Sequence, residues 1–249
     1  MRKVVFVVCA VMLAFSFSNC GNKEAVKETA SKEVFSEDTA RVSGSPCDLT
    51  IGGIHFTKSV NNAADLVEID KNNKIVFKAG EKTDYFSDPN GKLSNTTAPI
   101  LLTQVDNSKP FTFTAKVTPD FSGNDVYNAG VLYIYVNDSF FQKLCYEQDE
   151  RGKHRIVSVR TIKTSDDNNH DIVTQPYVYM KISSDTKTIA SYYSLDNKNW
   201  QMVRLYENNY PEQLWLGIST QCPTGKGTVS TFEELALESK SVADFRLGV

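Results

Sequence analysis

The sequence predicts an all-β, antiparallel sandwich, and three observations carry that prediction. Apolar and polar residues alternate with period two from Ile54 to Leu237, the alternating runs are short, and clusters of turn-forming residues separate them. No amphipathic helix of any length interrupts the pattern, and regular βαβ alternation is absent, which excludes Rossmann and TIM architectures. The 249 residues, 41% hydrophobic and 23% charged, have ordinary globular composition. A net charge of −3 leaves no basic excess to neutralise phosphates, so nucleic acid is excluded as a partner class. Three His are too few for multi-His metal chemistry, and no cofactor-binding motif is present.

Taken in order, the chain begins with an address. Arg2 and Lys3 precede an uncharged stretch, residues 4–17, which has the charge and length of a signal peptide and is too short to span a membrane comfortably. Phe17-Ser18-Asn19-Cys20-Gly21 follows and resembles a bacterial lipoprotein cleavage site, where the Cys20 thiol is acylated and becomes the mature N-terminus. Asn19 departs from the usual small residue, as the looser boxes of the Bacteroidetes allow. Gly21 fits outer-membrane sorting by the same resemblance. The alternative is an ordinary signal peptide, or an uncleaved anchor, with Cys20 incidental. Removing residues 1–19 takes away Arg2 and Lys3, leaving 25 basic and 30 acidic residues and a formal charge of −5. Such a surface is not drawn to anionic headgroups, so membrane attachment falls to the lipid.

Residues 20–46 read as the lipidated Cys and a tether rich in Lys, Glu, Ser and Thr, unable to bury a face. About 25 flexible residues reach roughly 25–30 Å. The sandwich domain is expected over 47–249. Its candidate strands are 54–58, 66–69, 74–78, 100–105, 111–117, 129–136, 140–147, 155–163, 177–183, 188–195, 201–205, 214–220 and 229–237. Turns are expected at Asp70–Asn73, Asp88-Pro89-Asn90-Gly91, Ser122–Asp125, Asn137-Asp138-Ser139, Asp166–Asn169 and Asp196–Asn199. Cys47, Cys145 and Cys222 allow one disulfide with one free thiol, or three buried thiols.

Alternation divides the strands into two faces. Leu132, Ile134 and Val136, Leu144 and Tyr146, Val157, Val159 and Thr161, Val178, Met180 and Ile182, and Leu214, Leu216 and Ile218 form the expected core face. The opposite residues form an outer face carrying Tyr133, Tyr135, Lys143, Glu147, Arg160, Tyr177, Tyr179 and Trp215. Aromatic planes pack on the C–H faces of sugar rings, while charged side chains bind the hydroxyls. Tyr133, Tyr135, Lys143, Glu147, Arg160, Tyr179 and Trp215 are therefore the candidate ligand-binding residues, expected on one surface with Trp215 as the stacking platform. The competing reading is a sheet face that favours Tyr and Trp for strand propensity alone.

A set of segments resembles the concanavalin A-like lectin/glucanase superfamily, and within it the domain of unknown function 1349, also called regulation-of-enolase-like. The segments are Thr83-Asp84-Tyr85-Phe86, Ala129-Gly130-Val131-Leu132, Phe141-Gln142-Lys143-Leu144 leading to Glu147, Val157-Ser158-Val159 with Ser165-Asp166-Asp167, Tyr193-Ser194-Leu195-Asp196 before Trp200, and Gly217-Ile218 with Gln221-Cys222-Pro223. Their order along about 51–237 is the signal. The resemblance implies a jelly-roll sandwich of two curved sheets and no established activity.

Three further features bear on chemistry. Glu147-Gln148-Asp149-Glu150-Arg151 resembles the E-x-D-x-E of superfamily glucanases, with Glu147 and Asp149 on one face of a strand, but Arg151 replaces the third acid and no catalytic set is assigned. Asp166–Asp171 offers oxygen ligands without EF-hand spacing and reads as a solvated loop, so no metal site is assigned. Trp200 reads as a cap on the core. The functional expectation is a lipid-anchored envelope protein with a non-catalytic carbohydrate-binding sandwich. A structural or protein-interaction domain is the alternative, and a divergent glycoside hydrolase the third reading.

Overall fold

A computed structural model describes residues 42–249, apart from Ser122 and Asn124. The signal peptide, Cys20 and the tether as far as residue 41 lie outside the described residues. Among those described, the strands are β1 (Ser45–Ile51), β2 (Ile54–Val60), β3 (Val67–Ile69), β4 (Ile75–Gly80), β5 (Tyr85–Ser87), β6 (Ser94–Thr96), β7 (Ile100–Asp106), β8 (Phe111–Pro119), β9 (Ala129–Asn137), β10 (Phe140–Gln148), β11 (His154–Ile162), β12 (Thr164–Ile172), β13 (Val178–Ser184), β14 (Thr188–Ser194), β15 (Trp200–Glu207), β16 (Gln213–Gln221) and β17 (Gly227–Glu238). They form an antiparallel jelly-roll sandwich. One sheet runs β1-β2-β7-β16-β9-β10-β11-β12, the other β15-β14-β13-β8-β17-β4-β3, and β5 and β6 make a separate hairpin.

The inter-sheet core follows from alternation. Phe56, Leu132, Ile134, Leu144, Leu214, Leu216 and Ile218 from the first sheet meet Phe77, Phe113, Val178, Met180, Ile182 and Phe232 from the second, all fully buried. Each such side chain contributes roughly 1.5–3 kcal/mol by leaving water. Turn chemistry is also local. Asp196 Oδ1 accepts the amides of Lys198 and Asn199 at 2.9 and 2.8 Å, and Asn197 takes φ +60°.

Three expectations are corrected here. On β11 the faces are exchanged: Ile156 enters the inter-sheet core, whereas Val157 and Val159 join a second apolar cluster on the outside of the eight-stranded sheet. Ser158 pairs across from Leu144, which places it and Arg160 on the inner side. A strand buried on both faces leaves no polar phase to read.

The Asp166–Asn169 segment is no turn. It belongs to β12, whose residues pair with β11 from Ile162↔Thr164 to Arg155↔Ile172, and the chain reverses at Lys163, φ +66°. Edge position explains a strand of such low propensity, since β12 needs one partner and leaves its side chains in water. Trp200 caps a small outer cluster with Ala190, Tyr192, Met202, Leu205, Val242 and Phe245, away from the main core. Cys47, Cys145 and Cys222 are free thiols, the last two buried.

Candidate functional site

The outer face of the eight-stranded sheet is ordered by register. One row across it reads Gln104, Trp215, Tyr135, Phe141, Thr161 and Ser165; the next reads Leu102, Gly217, Tyr133, Lys143, Val159 and Asp167. Further along lie Val131 beside Cys145 and Val157, then Gln221, Ala129, Glu147 and Arg155. Lys143 and Glu147 share the face because they are four residues apart on one strand.

This face does not lie open. Residues 83–87 cross it as a strap. Thr83 pairs with Cys222 at the end of β16 through two backbone bonds of 3.1 Å, and the amide of Ser87 donates to Ser165 Oγ of β12 at 2.9 Å. Between these anchors Tyr85 meets Tyr133, Tyr135 and Phe141 edge-on at 5.4–6.3 Å. Its hydroxyl and that of Tyr135 both donate to Asp138 Oδ1, at 2.9 and 2.6 Å. Tyr133 and Tyr135 are therefore buried, which corrects their expected exposure. Burial comes first in holding both phenols above their ordinary range, with Cys145 and Asp84 adding for Tyr133 and Asp138 for Tyr135. The Tyr133 hydroxyl has no hydrogen-bond partner among the described residues.

Beside the strap lies a buried polar cluster. Lys143 Nζ donates to Asp84 Oδ1 and to Gln221 Oε1, each at 3.1 Å. The Gln221 amide is thereby oriented, and its Nε2 donates to Glu147 Oε2 at 3.3 Å and to the Tyr127 carbonyl at 3.1 Å. Burial is the largest single influence on the Lys143 ammonium and would lower it, but Asp84, Cys145 and Glu147 together outweigh it and hold the group above its ordinary value. Glu147 is pushed up to about 8, chiefly by burial, with Asp167, Asp84 and Asp149 adding and Lys143 opposing. At neutral pH its carboxyl is protonated. Burial raises the Cys145 thiol far above its ordinary value, and it is no nucleophile.

The cluster has an exposed rim. Tyr127 is 39% exposed and holds φ +67°, a left-handed backbone that a bulky residue seldom adopts. Asp167 lies exposed on β12. Asp149, which the sequence placed beside Glu147, is otherwise engaged. Its Oδ1 accepts the amides of Arg151 and Lys153 at 2.9 and 2.8 Å, and its Oδ2 is held by Arg155 at 2.8 Å. Burial opposes these contacts, yet they keep its carboxyl below the usual range.

The seven expected residues do not converge. Lys143 and Glu147 meet in the cluster. Tyr133 and Tyr135 lie under the strap. Trp215 keeps the outward orientation expected of it, half-buried, with Lys58 Nζ 4.9 Å from its ring centroid. Arg160 is on the inner side, its guanidinium 4.4 Å from the Tyr206 ring and bonded to Asn209 at 2.8 Å. Tyr179 belongs to the other sheet, where its hydroxyl donates to Glu234 at 3.2 Å. Sequence reasoning missed Asp84, Gln221 and Tyr127 as site residues. The first two stand in segments quoted above for the family resemblance, whereas Tyr127 carries no sequence signal.

No curated protein matches the chain. Among solved structures, the fold resembles a functionally unknown protein from Saccharomyces cerevisiae, 19% identical, covering 74% of this chain and 96% of that one with a TM-score of 0.66. It also resembles the xyloglucan PUL GH43B of Bacteroides ovatus, 12% identical over 80% of this chain and 39% of that one, TM-score 0.55. The GH43 BlXynB protein of Bacillus licheniformis is likewise 12% identical, over 71% of this chain and 35% of that one, TM-score 0.55. The sandwich thus spans little more than a third of either GH43 chain. Residues 61–240 match the protein of unknown function family DUF1349, and the chain belongs to that family.

Proposed function

We propose that the chain is a non-catalytic carbohydrate-binding sandwich of the bacterial envelope, held at the outer membrane by lipid on Cys20 after removal of residues 1–19. The observation that carries the binding reading is Tyr127, an exposed aromatic ring fixed in a strained backbone beside the protonated carboxyl of Glu147. The ring gives an apolar plane for a sugar's C–H face. Asp167, exposed at the same rim, gives an acceptor for neighbouring hydroxyls. Fold likeness to GH43 chains accords with a saccharide ligand. A glycan array probed with the whole chain tests the reading. Binding is expected, with loss in Tyr127→Ala at an unchanged melting temperature. An array with no bound glycan leaves the structural or protein-interaction reading in its place.

The raised pKa of Glu147 favours one second reading, a general acid in a divergent glycoside hydrolase. Asp149 is tied to Arg155 and is unsuited to act as its partner. Release of reducing sugar that is lost in Glu147→Gln would establish this second reading.

A further inference from the structure

The outer face of the seven-stranded sheet carries its own cleft, with a volume of about 580 Å³. Sites for small molecules are commonly 300–1,000 Å³. Its floor is Thr112, Thr114 and Lys181 on the paired strands β8 and β13. Trp200 and Asn197 form one wall, β17 from Glu234 to Glu238 forms another, and the C-terminal segment 240–249 closes the rest. That segment is fastened down by Thr112, Ser183 and Tyr192, which bond to the backbone of Lys240, Val242 and Phe245 at 2.7–3.0 Å.

Lys181 is the unusual group in this cleft. Its Nζ lies 3.7 Å from the Trp200 ring centroid and donates to the Gly248 carbonyl at 2.9 Å. Among the described residues no carboxylate forms an ion pair with it, although Glu238 and Glu234 line the same cleft; Glu238 is bound instead to Lys240 at 3.1 Å. Burial draws the ammonium down to about 8, with Glu238 opposing. A half-buried cation over an indole, held by one carbonyl and influenced by Glu238 only from beyond ion-pair distance, has donor capacity left for a ligand.

We propose that this cleft is a second binding site, independent of the Glu147 cluster, and that it takes a small hydroxylated carboxylate such as a hexuronate. The carboxylate would pair with Lys181. Thr114 and Asn197 would meet the hydroxyls, and Trp200 would flank the ring.

The test uses the full chain labelled with 5-fluorotryptophan. The sequence holds two Trp, so the ¹⁹F spectrum reports Trp200 in this cleft and Trp215 on the opposite sheet separately. Single Trp→Phe variants assign the two signals. Titration with glucuronate is expected to shift the Trp200 resonance and leave Trp215 still, while glucose moves neither. Lys181→Met should weaken the response at least tenfold, and Lys181→Arg should retain it. Ala236 is exposed beside the cleft, so Ala236→Phe should block binding without touching Lys181 even if Lys181→Met fails to fold. An unmoved Trp200 resonance, an equal shift with glucose, or full response in Ala236→Phe would overturn the proposal. None of these outcomes bears on glycan binding at Tyr127.

Discussion

On the eight-stranded sheet, Tyr133 and Tyr135 lie beneath Tyr85 and are wholly buried; on the opposite sheet, Tyr177 and Tyr179 meet each other edge-on at 6.1 Å and remain partly in water. Lysines follow the same division. Lys143 is 2% exposed and committed to Asp84 and Gln221, whereas Lys116 lies over the Tyr177 ring at 4.6 Å and reaches Glu233 at 3.4 Å near the surface. Similar residue types on similar strands thus have different consequences. A strap five residues long converts one outer face into a second core with a desolvated polar cluster, and on the other face the Tyr177–Tyr179 region, outside the small Trp200 cluster, stays wet.

The comparison can be broken most severely through pH. Glu147 has a folded-state pKa of about 8 against 4.5 for the ordinary group, so its stabilising contribution is complete below about pH 4.5 and is lost as pH rises through 8. The loss is expected to reach roughly 5 kcal/mol, at about 1.4 kcal/mol for each unit. Lys143, Asp84, Asp149 and Asp167 are the charged groups that face it. Denaturant melts of Glu147→Gln across this range should show the slope flattened, and an unchanged slope would remove the claim that the carboxyl is desolvated.

Next in size is the strap itself. Tyr85→Ala removes the ring that covers Tyr133, Tyr135 and Phe141 and should cost about 4 kcal/mol in urea unfolding. Tyr179→Ala, on the wet sheet, should cost less than about 1 kcal/mol. Equal costs would mean that the two faces do not differ as described.

Lys143→Met strands Asp84 without its cation and should cost about 3 kcal/mol, much of it recovered when Asp84→Asn is added. Calorimetry of the single and double variants measures that coupling. The smallest effect is a gain. Tyr127→Gly relieves a left-handed backbone and should raise stability by about 1 kcal/mol while removing glycan binding. A loss of stability there would show that the ring, rather than its backbone, is what the fold requires.

Inner faces were legible because they follow one rule. Leu132, Leu144, Met180 and Leu216 hold one phase of the alternation on their strands, and burial on one side of a strand imposes that phase. The rule fails where a strand is apolar on both sides, as at Ile156 and Val157, or polar throughout, as on β12. For the candidate site, the pairing of Lys143 with Glu147 was legible from spacing alone. Their burial was not, because Asp84 and Gln221 come from 59 and 78 residues away in the chain, and no local pattern announces that a strap will cross a sheet.

β12 has a consequence for how copies of this chain behave side by side. It ends the eight-stranded sheet and leaves a row of backbone donors and acceptors that another extended chain could extend. Asp166, Asp167, Asn168, Asn169 and Asp171 are exposed along it. A second molecule that paired through its own β12 would bring its acids against these, so like charges oppose that edge-to-edge growth where chains are crowded. The residues that obscured this strand in the sequence thus protect against aggregation, and replacing Asp167 and Asn169 with Val would make the edge a template for assembly.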